Sequence, residues 1–455
     1  MTRLIRIEWP DNGTPDLPPA VTLFEYESRL RALRRAAEAA EYDAIVVYGD
    51  REHAANLHWL TGFDPRFEEA VLIVTPGDAL LLAGNECLAY TDVSPLVAGG
   101  LVRTGHCASL SLPSQPRDGR RLADWLADML ATDDRVGVIG WKWFGPDEVD
   151  DPVTALEVPA FLADPLRVMT ARVEAATKLM MHPGHGLRAR VDAADIARLE
   201  FANHMAAAAL KRMVFALHPG MTDFQAIEAA RVGGLPLGCH TTFAVGSAPG
   251  LCGPSGVRLQ PGASASFNIC HWGANICRAG WLAQSAADLP AVARDYVEVF
   301  VEPYVRAMSD WCGMMRPGVS GGYVWSHMMA ALPVETFGVT LNPGHLIGLD
   351  EWISSPIRAG SADALASGMP MQMDVIPTHP VYGSTRMEDG YVIAGMELRD
   401  ELAARFPNVA RRCEARARFM REVIGMEVPD SLLPLADTCG VVAPYLFDPA
   451  QIVVC

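Results

Sequence analysis

The sequence predicts an α+β protein of two domains, an N-terminal α/β domain and a second domain in which strands follow helices. The chain has 455 residues, more than one ordinary hydrophobic core accommodates. Helical and strand-like segments alternate up to about residue 165, whereas two helical patterns precede a series of strands beyond about residue 170. We therefore predict domains at 1–165 and 166–455.

Apolar spacing defines the elements of the first domain. Residues 24–41 carry apolar side chains at helical intervals. Short apolar runs predict buried strands, and "TPGD" predicts a turn between the second and third of them. The predicted strands are 44–49, 70–77, 79–84 and 135–141.

The second domain opens with two predicted helices. A long helical pattern follows Asp192 and Asp195, either of which suits the N-terminal cap, and ends at Pro219-Gly220. Another helix begins near Thr222. The remaining predicted elements are strands at 240–246, 264–270, 275–282, 371–377 and 384–393 and helices near 290–309 and 321–331. We expect the segment after about residue 425 to pack on the surface or at a subunit contact.

Composition excludes several classes of protein. Half of the residues are apolar and a fifth are charged, as in ordinary globular proteins. A net charge of −17 disfavours nucleic acid and anionic membranes as partners. The sequence has no stretch resembling a signal peptide and no apolar run of membrane-spanning length. The ten cysteines form no CxxC pair, so we expect free thiols and a cytoplasmic protein.

Three residues of the second half combine into a candidate site. His345 lies in "NPGHLIGLDEW", Asp374 in "GMPMQMDVIP" and Glu388 in "STRMEDGYVIA". A lone histidine is often a satisfied core residue, and Arg386 with Glu388 could be a surface pair at a strand end. Asp374 is harder to dismiss, because an acid in an apolar strand must be paired, protonated or bound to a cation. Together the three are ligand types for a divalent metal.

These segments resemble the pita-bread family of creatinase, aminopeptidase P and methionine aminopeptidase. The resemblance rests on "PGHLIG", "GMPMQMDVIP", "RMED", the "FNICHWGANICRAGW" hairpin and the helix start "LHPGMTDFQAIEAA". The N-terminal "AANLHWLTGFDPRFEEAVLIV" is similar to the smaller domain of creatinase and aminopeptidase P, and "GLDEW" is similar to the lyases that cleave dimethylsulfoniopropionate. The resemblance implies a creatinase-like N-terminal domain and a pita-bread catalytic domain.

The metal-binding positions of the family are only partly kept. Carried over residue by residue, they fall on Asn268, Asn275, His345, Asp374 and Glu388. Asparagine is neutral and binds a cation only through its carbonyl oxygen, so a two-metal centre is not expected. We expect either no metal or one divalent ion (Mn, Zn, Fe or Co), with Asn268 or Cys270 as a further ligand. Asn268 is also a candidate substrate contact.

The family's proton-handling histidine has no direct counterpart. Its position falls near Ser255, so His240, His271 or His379 would have to replace it. His240 is equally read as a hydrogen-bonded strand histidine, and His271 is expected to be exposed beside the hairpin turn. His379 follows the Asp374 strand and is the better-placed candidate.

Substrate contacts are also implied by the resemblance. Phe63 and Arg66 fall where creatinase-like proteins place a loop that reaches a partner's active site, which implies a homodimer. Arginine grips a carboxylate through two hydrogen bonds, and phenylalanine provides an apolar wall. The alternative is a loop arginine paired with Glu68 or Glu69. Trp352 and Trp281 are possible pocket walls, although tryptophan more often fills a core.

Three functions follow from this interpretation. The first is a creatinase-type hydrolase or lyase that acts on a C–N or C–S bond of a small amino-acid-like or amidine-like substrate, with His345 or His379 as acid or base. The second is a metal-dependent Xaa-Pro aminopeptidase. The third is a binding protein that keeps the fold without catalysis. We favour the first function, because it depends least on the family residues that this chain lacks, above all the two aspartates.

Overall fold

The chain forms two compact units in the computed structural model, which describes residues 3–248 and 250–455. The first unit is Ala20–Arg188, and the second combines Met1–Pro19 with Ala189–Cys455. The first unit therefore differs from the predicted domain 1–165 at both of its limits. Residues 166–188 lie in the first unit, and the opening residues of the chain lie in the second.

The first strand, β1 (Arg3–Arg6), belongs to the second unit, and the elements of the first unit follow it. They are α1 (Leu23–Ala39), β2 (Ala44–Gly49), α2 (Ala55–Thr61), β3 (Ala70–Val74), β4 (Ala79–Ala83), α3 (Pro95–Ala98), β5 (Arg103–His106), α4 (Leu122–Met129), β6 (Arg135–Ile139), α5 (Ala160–Met169), β7 (Arg172–Ala175) and α6 (Lys178–Met181).

A six-stranded sheet organises the first unit, with the strand order β5-β4-β3-β2-β6-β7. Strands β2, β3 and β4 are antiparallel neighbours, whereas the outer pairs β4–β5, β2–β6 and β6–β7 are parallel. All residues of β2, β3 and β4 are buried, which is why these strands read as unbroken apolar runs. The predicted strands and the first helix are confirmed: β2 has its predicted bounds, and the other elements are slightly shorter than their patterns. Strand β7 extends this sheet, which explains why residues beyond 165 belong to this unit.

The elements of the second unit continue the chain. They are α7 (Ala193–Ala216), α8 (Asp223–Ala230), β8 (Phe243–Val245), β9 (Ser264–His271), β10 (Ala274–Trp281), α9 (Glu302–Met314), α10 (Gly321–Ala331), α11 (Val334–Phe337), β11 (His345–Leu346), β12 (Met369–Gln372), β13 (Thr378–His379), β14 (Gly383–Ser384), β15 (Arg386–Glu388), β16 (Gly390–Ile393), α12 (Met396–Arg405), α13 (Pro407–Phe419), β17 (Leu432–Pro434) and β18 (Gln451–Val454). A π-helical turn, Val297–Val301, leads into α9, and another, Met420–Ile424, follows α13.

Two four-stranded sheets build the second unit, with the orders β15-β10-β9-β8 and β11-β12-β16-β17. The predicted helix caps are confirmed: Asp192 accepts from two backbone N–H groups of α7, and Thr222 forms a capping box with Gln225 at α8. The predicted strand 384–393 is divided, because β15 joins the first sheet and β16 the second. Asp389 lies at this crossing with its carboxylate bound by Arg278 and Thr438, at 2.7 Å and 2.5 Å.

The C-terminal segment is buried, so its predicted surface position is wrong. Strand β18 pairs antiparallel with β1, and all but the first residue of β18 are buried. The carbonyl groups of Thr438 and Val441 accept hydrogen bonds from Arg278 at 2.6 Å and 3.0 Å. The segment therefore satisfies buried groups of the hairpin sheet, a role that its own apolar pattern does not reveal.

Two general expectations can be compared with the fold. All ten cysteines are free thiols, as predicted. A search of the described helices finds none with the length and apolar character needed to cross a membrane.

Candidate active site

His345, Asp374 and Glu388 meet in the second unit. Each offers one ligand atom, and these atoms all lie within 4.8 Å of one another at buried positions. His345 begins β11, Asp374 follows β12 and Glu388 ends β15. The structure thus brings together the three residues that the sequence singled out. Glu388 is only 2% exposed, so the alternative of a surface pair with Arg386 is wrong.

The β9–β10 hairpin supplies the floor of the site. Cys277 faces Asn268 across the hairpin, and Asn275 faces Cys270, so these four side chains share one side of the sheet. On the other edge of β10, Cys277 also pairs with Glu388. The alternation expected from the sequence therefore places both asparagines on the side of the sheet that carries Glu388.

A chain of side-chain amides crosses this floor. The backbone N–H and the hydroxyl of Thr242 donate to Asn268 Oδ1, at 2.7 Å and 3.0 Å. Asn268 Nδ2 donates to Asn275 Oδ1 at 3.0 Å, and Asn275 Nδ2 donates to Glu388 Oε1 at 2.8 Å and to Glu351 Oε1 at 3.2 Å. A backbone N–H can only donate, so it fixes the orientation of every amide in the chain.

This orientation corrects the predicted roles of both asparagines. The Oδ1 atoms, through which asparagine binds a cation, are already occupied by N–H and O–H donors. Asn268 is 5% exposed, and both atoms of its side-chain amide are hydrogen-bonded within the protein. Cys270 is not a member of the group of ligand atoms that lie within 4.8 Å of one another, and its thiol lies 3.9 Å from the carbonyl of His271. The amide chain joins the two positions, 268 and 275, at which the family resemblance implies aspartate ligands.

His345 presents one ring nitrogen to the acids. Its Nδ1 lies 3.2 Å from the carbonyl of Leu346, which can only accept, so Nδ1 carries the proton and donates. Its Nε2 faces Glu351 Oε1 at 3.4 Å and Asp374 Oδ2 at 3.9 Å. Burial by itself lowers the pKa of His345, but the hydrogen bond and charge of Glu351 and the charge of Asp374 raise it above its usual value. Trp352 stacks on the imidazole, with the ring centroids 4.1 Å apart.

Glu388 is surrounded by donors and by other acids. Gln372 Nε2 donates to Glu388 Oε1 at 3.3 Å, and Arg386 Nη1 lies 3.9 Å from Oε2 while donating to Cys277 Sγ at 2.9 Å. Burial raises the pKa of Glu388 well above its usual value, and the nearby charge of Asp374 raises it further. Both effects favour the protonated form of Glu388.

The three converging residues fit a single divalent cation. With Nδ1 as the donor, a neutral His345 directs its Nε2 lone pair at carboxylate oxygens, an arrangement that either a proton or a cation between them stabilises. Asp374 Oδ1 is buried without a hydrogen-bond partner among the described residues. One histidine and two carboxylates are suitable ligands for a borderline ion.

Several residues of the site were missed by sequence reasoning. Glu351 follows His345 by six positions, and Thr242 lies in the segment before β8. Gln372 precedes Asp374 by two residues, and its Nε2 also donates to the carbonyl of Asn275. In the predicted strand 371–377, residues two apart share a face, so the sequence could have indicated Gln372, although β12 itself ends at Gln372. Glu351 lies outside any strand or helix and gave no periodic signal.

The other histidines occupy different environments. His240 is exposed with Nε2 2.9 Å from the carbonyl of Leu251. His379 Nδ1 accepts from the backbone N–H groups of Val381 and Tyr382 at 3.1 Å and 3.3 Å. His271 is 1% exposed, so its predicted exposure is wrong. His240 Nε2 and His379 Nδ1 are therefore both hydrogen-bonded to backbone groups of the protein.

The predicted substrate loop lies in the first unit. Phe63 is fully buried and packs near Tyr90, with ring centroids 5.8 Å apart, so it cannot serve as an exposed apolar wall. Arg66 is exposed, with Nη2 3.3 Å from Tyr90 Oη and Nη1 3.8 Å from Asp64. Its acidic neighbour is thus Asp64 rather than Glu68 or Glu69.

The two tryptophans of the prediction differ. Trp281 is 6% exposed and donates to the carbonyl of Tyr382 at 3.0 Å, which is a core role. Trp352 is 38% exposed and covers His345, which is the position of a pocket wall.

Known proteins of similar structure identify the fold of this chain. The sequence matches no family model and no curated protein sequence. Its structure is similar to the Xaa-Pro dipeptidase from Bacillus anthracis, with 14% identity and a TM-score of 0.60 over 82% of this chain and 96% of that chain. It is similar to the dipeptidase PepE from Mycobacterium ulcerans, with 22% identity and a TM-score of 0.61 over 82% of this chain and 94% of that chain.

A third similar structure carries a name other than that of a dipeptidase. The N-terminal domain of FACT complex subunit SPT16 from Cicer arietinum matches with 13% identity and a TM-score of 0.58, over 82% of this chain and 95% of that chain. At these identities the likeness establishes the fold. The chain therefore has the two-domain pita-bread fold shared with Xaa-Pro dipeptidases and prolidases, and the predicted fold class is confirmed.

Proposed function

We propose that the protein is a creatinase-type hydrolase or lyase that cleaves a C–N or C–S bond of a small amino-acid-like or amidine-like substrate. One observation carries this proposal. Amide hydrogen bonds link Thr242, Asn268, Asn275 and Glu388 at the positions where the resemblance implies aspartate ligands, while His345, Asp374 and Glu388 still converge. Burying one histidine and two carboxyl groups together costs free energy, and a protein of this fold without a functional site would gain nothing in return.

The proposed roles follow from the contacts of each side chain. Glu388 holds or transfers a proton, because burial and Asp374 favour its neutral form. His345 exchanges a proton through Nε2, since Leu346 fixes Nδ1 as the donor. Trp352 forms the exposed wall beside the imidazole. Asp374 stabilises positive charge on His345 or on the substrate.

A single-metal Xaa-Pro peptidase is the second candidate. The unpartnered Asp374 Oδ1 and the orientation of His345 Nε2 favour it, because both suit a bound cation. Such an ion would be held by His345, Asp374 and Glu388 and would supply Lewis acidity toward the scissile carbonyl. The names of two similar structures, an Xaa-Pro dipeptidase and a dipeptidase, are consistent with this candidate.

Turnover measurements distinguish the candidates. Purified protein is assayed with guanidino compounds, betaines and Xaa-Pro dipeptides, with and without a chelator. We expect chelator-independent turnover of a small guanidino compound or betaine, and a loss of about 100-fold or more in kcat for His345→Ala and Glu388→Gln. Chelator-sensitive cleavage of the dipeptide would instead establish the second candidate.

Matched controls separate catalysis from folding. His327→Ala and Glu335→Gln make the same changes outside the site, at a partly exposed and at an exposed position. All four variants should retain the far-ultraviolet circular dichroism of the wild type. Full activity in both His345→Ala and Glu388→Gln would refute the proposed function, and no turnover by the wild type would favour a binding protein.

We also propose a cytoplasmic homodimer in which Arg66 of one protomer contacts the substrate bound by the other. The exposed guanidinium of Arg66 supports this arrangement, since its only described carboxylate neighbour is 3.8 Å away. Light scattering of the same preparations tests it, and a monomeric mass would contradict it.

A further inference from the structure

Cys239 is a half-buried thiol that borders the amide chain of the site and takes no part in the proposed chemistry. The side-chain nitrogen of Asn268 has two N–H bonds, one directed at Asn275 Oδ1 at 3.0 Å and the other at Cys239 Sγ at 3.3 Å. Because Thr242 fixes the orientation of this amide, the group that faces the sulfur is a donor. The sulfur of Cys239 is therefore held as a hydrogen-bond acceptor.

The backbone places a second thiol opposite Cys239. The segment before β8 runs antiparallel to the end of β9, and backbone hydrogen bonds of 3.4 Å and 3.0 Å join the two ends of the paired stretches 236–242 and 268–272. Cys239 is the midpoint of the first stretch and Cys270 is the midpoint of the second. The two cysteines therefore face each other across this pair of segments.

The side chains of the two cysteines are in contact. The thiol of Cys270 donates a hydrogen bond to Cys239. Its sulfur also lies against the backbone of the preceding residue, since a Cβ added to Gly238 would be only 2.9 Å from it. The hydrogen bond from Cys270 lowers the pKa of Cys239, helped by the one from Asn268 and opposed by burial and by the charge of Glu351.

This arrangement has the features of an oxidation-sensitive pair. The thiol that reacts with an oxidant is accessible and supported by hydrogen-bond donors, and a second thiol stands beside it to resolve the first product. Cys239 is half-buried and receives two such hydrogen bonds, whereas Cys270 is fully buried and donates one of them. Their different exposure assigns the first step to Cys239 and the second to Cys270.

We propose that Cys239 and Cys270 are a redox-active pair, in which hydrogen peroxide oxidises Cys239 and Cys270 then closes a disulfide with it. The inference goes beyond the proposed function, because it concerns a modification of the protein rather than turnover of a substrate.

The two steps consume one molecule of hydrogen peroxide. The sulfur of Cys239 attacks one peroxide oxygen, an S–O bond forms, the O–O bond breaks, and the departing oxygen takes the thiol proton and leaves as water. The sulfur of Cys270 then attacks the sulfenic sulfur, an S–S bond forms, the S–O bond breaks, and the hydroxyl leaves as water with the proton of Cys270. The two thiols lose two electrons and two protons, and the peroxide is reduced to two waters.

The disulfide would act on the floor of the site. A disulfide sulfur is uncharged, so the N–H of Asn268 that faces Cys239 would lose an acceptor that can carry charge. The same amide donates to Asn275, which in turn donates to Glu388. Oxidation of the pair therefore changes one end of the chain that holds Glu388 at the other.

Mapping of the oxidised thiols in the full-length protein tests the proposal. Reduced wild type and Cys252→Ser are treated with hydrogen peroxide, remaining thiols are blocked with N-ethylmaleimide, and unreduced peptides are sequenced by mass spectrometry. Cys252 is the matched control, because it is an exposed cysteine near β8. We expect a disulfide between residues 239 and 270 of one chain in both proteins, and its complete loss after dithiothreitol.

Two further variants test the order of the steps. Cys270→Ala should lose the disulfide and stop at a sulfenic acid on Cys239, which dimedone traps. Cys239→Ala should leave Cys270 reduced under the same conditions. Melting curves verify that each variant is folded, and the wild-type map decides the proposal even where a variant does not fold.

Several results would overturn the inference. They are oxidation confined to Cys252, a disulfide that joins Cys239 to any cysteine other than Cys270, and N-ethylmaleimide labelling of both Cys239 and Cys270 after peroxide treatment.

The outcomes are independent of the proposed function. Turnover of a small guanidino compound or betaine by a wild type that forms no such disulfide would overturn the redox pair and leave the proposed function intact. The expected disulfide in a protein without any such turnover would do the reverse.

Discussion

At the scale of single residues, Asn275 determines how the hairpin can interact with its surroundings. An aspartate at this position would accept hydrogen bonds and bind cations, whereas the amide donates to Glu351 and Glu388. The direction of that amide is set two residues away along the hydrogen-bond chain, where the backbone N–H of Thr242 donates to Asn268. A neutral residue therefore stabilises two acids that would otherwise repel each other.

Asn275→Asp should make stability dependent on metal. The substitution removes two charge-assisted hydrogen bonds and adds a third acid beside Glu351 and Glu388, so we expect a loss of about 3 kcal/mol in the free energy of unfolding without metal. Added Mn²⁺ should restore more stability in the variant than in the wild type. Urea denaturation with and without Mn²⁺ measures both effects.

Asn342→Asp, at a partly exposed position, is the matched control and should change stability little. If Asn275→Asp in the absence of metal were as stable as the wild type, the role assigned to this amide would be incorrect.

At the scale of elements, the N-terminal segment is an integral part of the second unit. Strand β1 pairs with β18 at the other end of the chain. Trp9 is 3% exposed and donates to the carbonyl of Pro449 at 2.8 Å, and Lys211 of α7 donates to the carbonyls of Trp9 and Pro10. This segment closes one edge of the unit with a strand and a buried aromatic anchor.

Trp9→Ala should destabilise the protein substantially. It removes a large buried side chain together with a hydrogen bond to the C-terminal segment, for which we expect a loss of about 3–5 kcal/mol in the free energy of unfolding. Leu17→Ala is the control within the same segment, because Leu17 is 86% exposed and should contribute little. Chemical denaturation of both variants measures the difference, and equal effects would show that the segment is not anchored through Trp9.

At the scale of the whole molecule, a buried ion network ties distant parts of the chain together. Arg412 and Arg416 both reach Glu200, at 2.7 Å and 2.8 Å, and Arg416 also reaches Asp437 at 2.6 Å. Asn12 donates to Asp437 from both its backbone and its side chain. Burial by itself raises the pKa of Asp437, but the charge of Arg416 and the hydrogen bonds from Asn12 and Arg416 lower it below its usual value.

Acid should weaken the fold partly through Asp437. Its pKa is lower in the folded than in the unfolded chain, so the unfolded chain binds more protons as the pH falls. The stabilisation is present above the unfolded pKa of about 3.9 and is lost as the pH falls through the lower folded pKa. Asp437→Asn should therefore reduce stability at neutral pH and flatten its decline in acid.

Denaturation midpoints from about pH 6 to pH 3 measure this dependence. Asp400→Asn, at an exposed aspartate of α12, serves as the control and should follow the wild-type curve. An acid decline as steep in Asp437→Asn as in the wild type would contradict the prediction.

The sequence by itself determined the elements and the identity of the central residues. The apolar run 44–49, the caps Asp192 and Thr222 and the trio His345, Asp374 and Glu388 are local features, since neighbouring residues or chemical type decide them. Alternation within strands also placed both asparagines on the face of the site.

Only the tertiary structure decided which groups pair across the chain. The burial of Phe63 and of the C-terminal segment, the amide chain from Thr242 to Glu388 and the approach of Glu351 to His345 depend on contacts between remote residues. A hydrogen bond has a direction, and whether an amide donates or accepts depends on the partner that the fold supplies. Residue order does not specify that partner, and for this reason the sequence predicted the members of the site but not their roles.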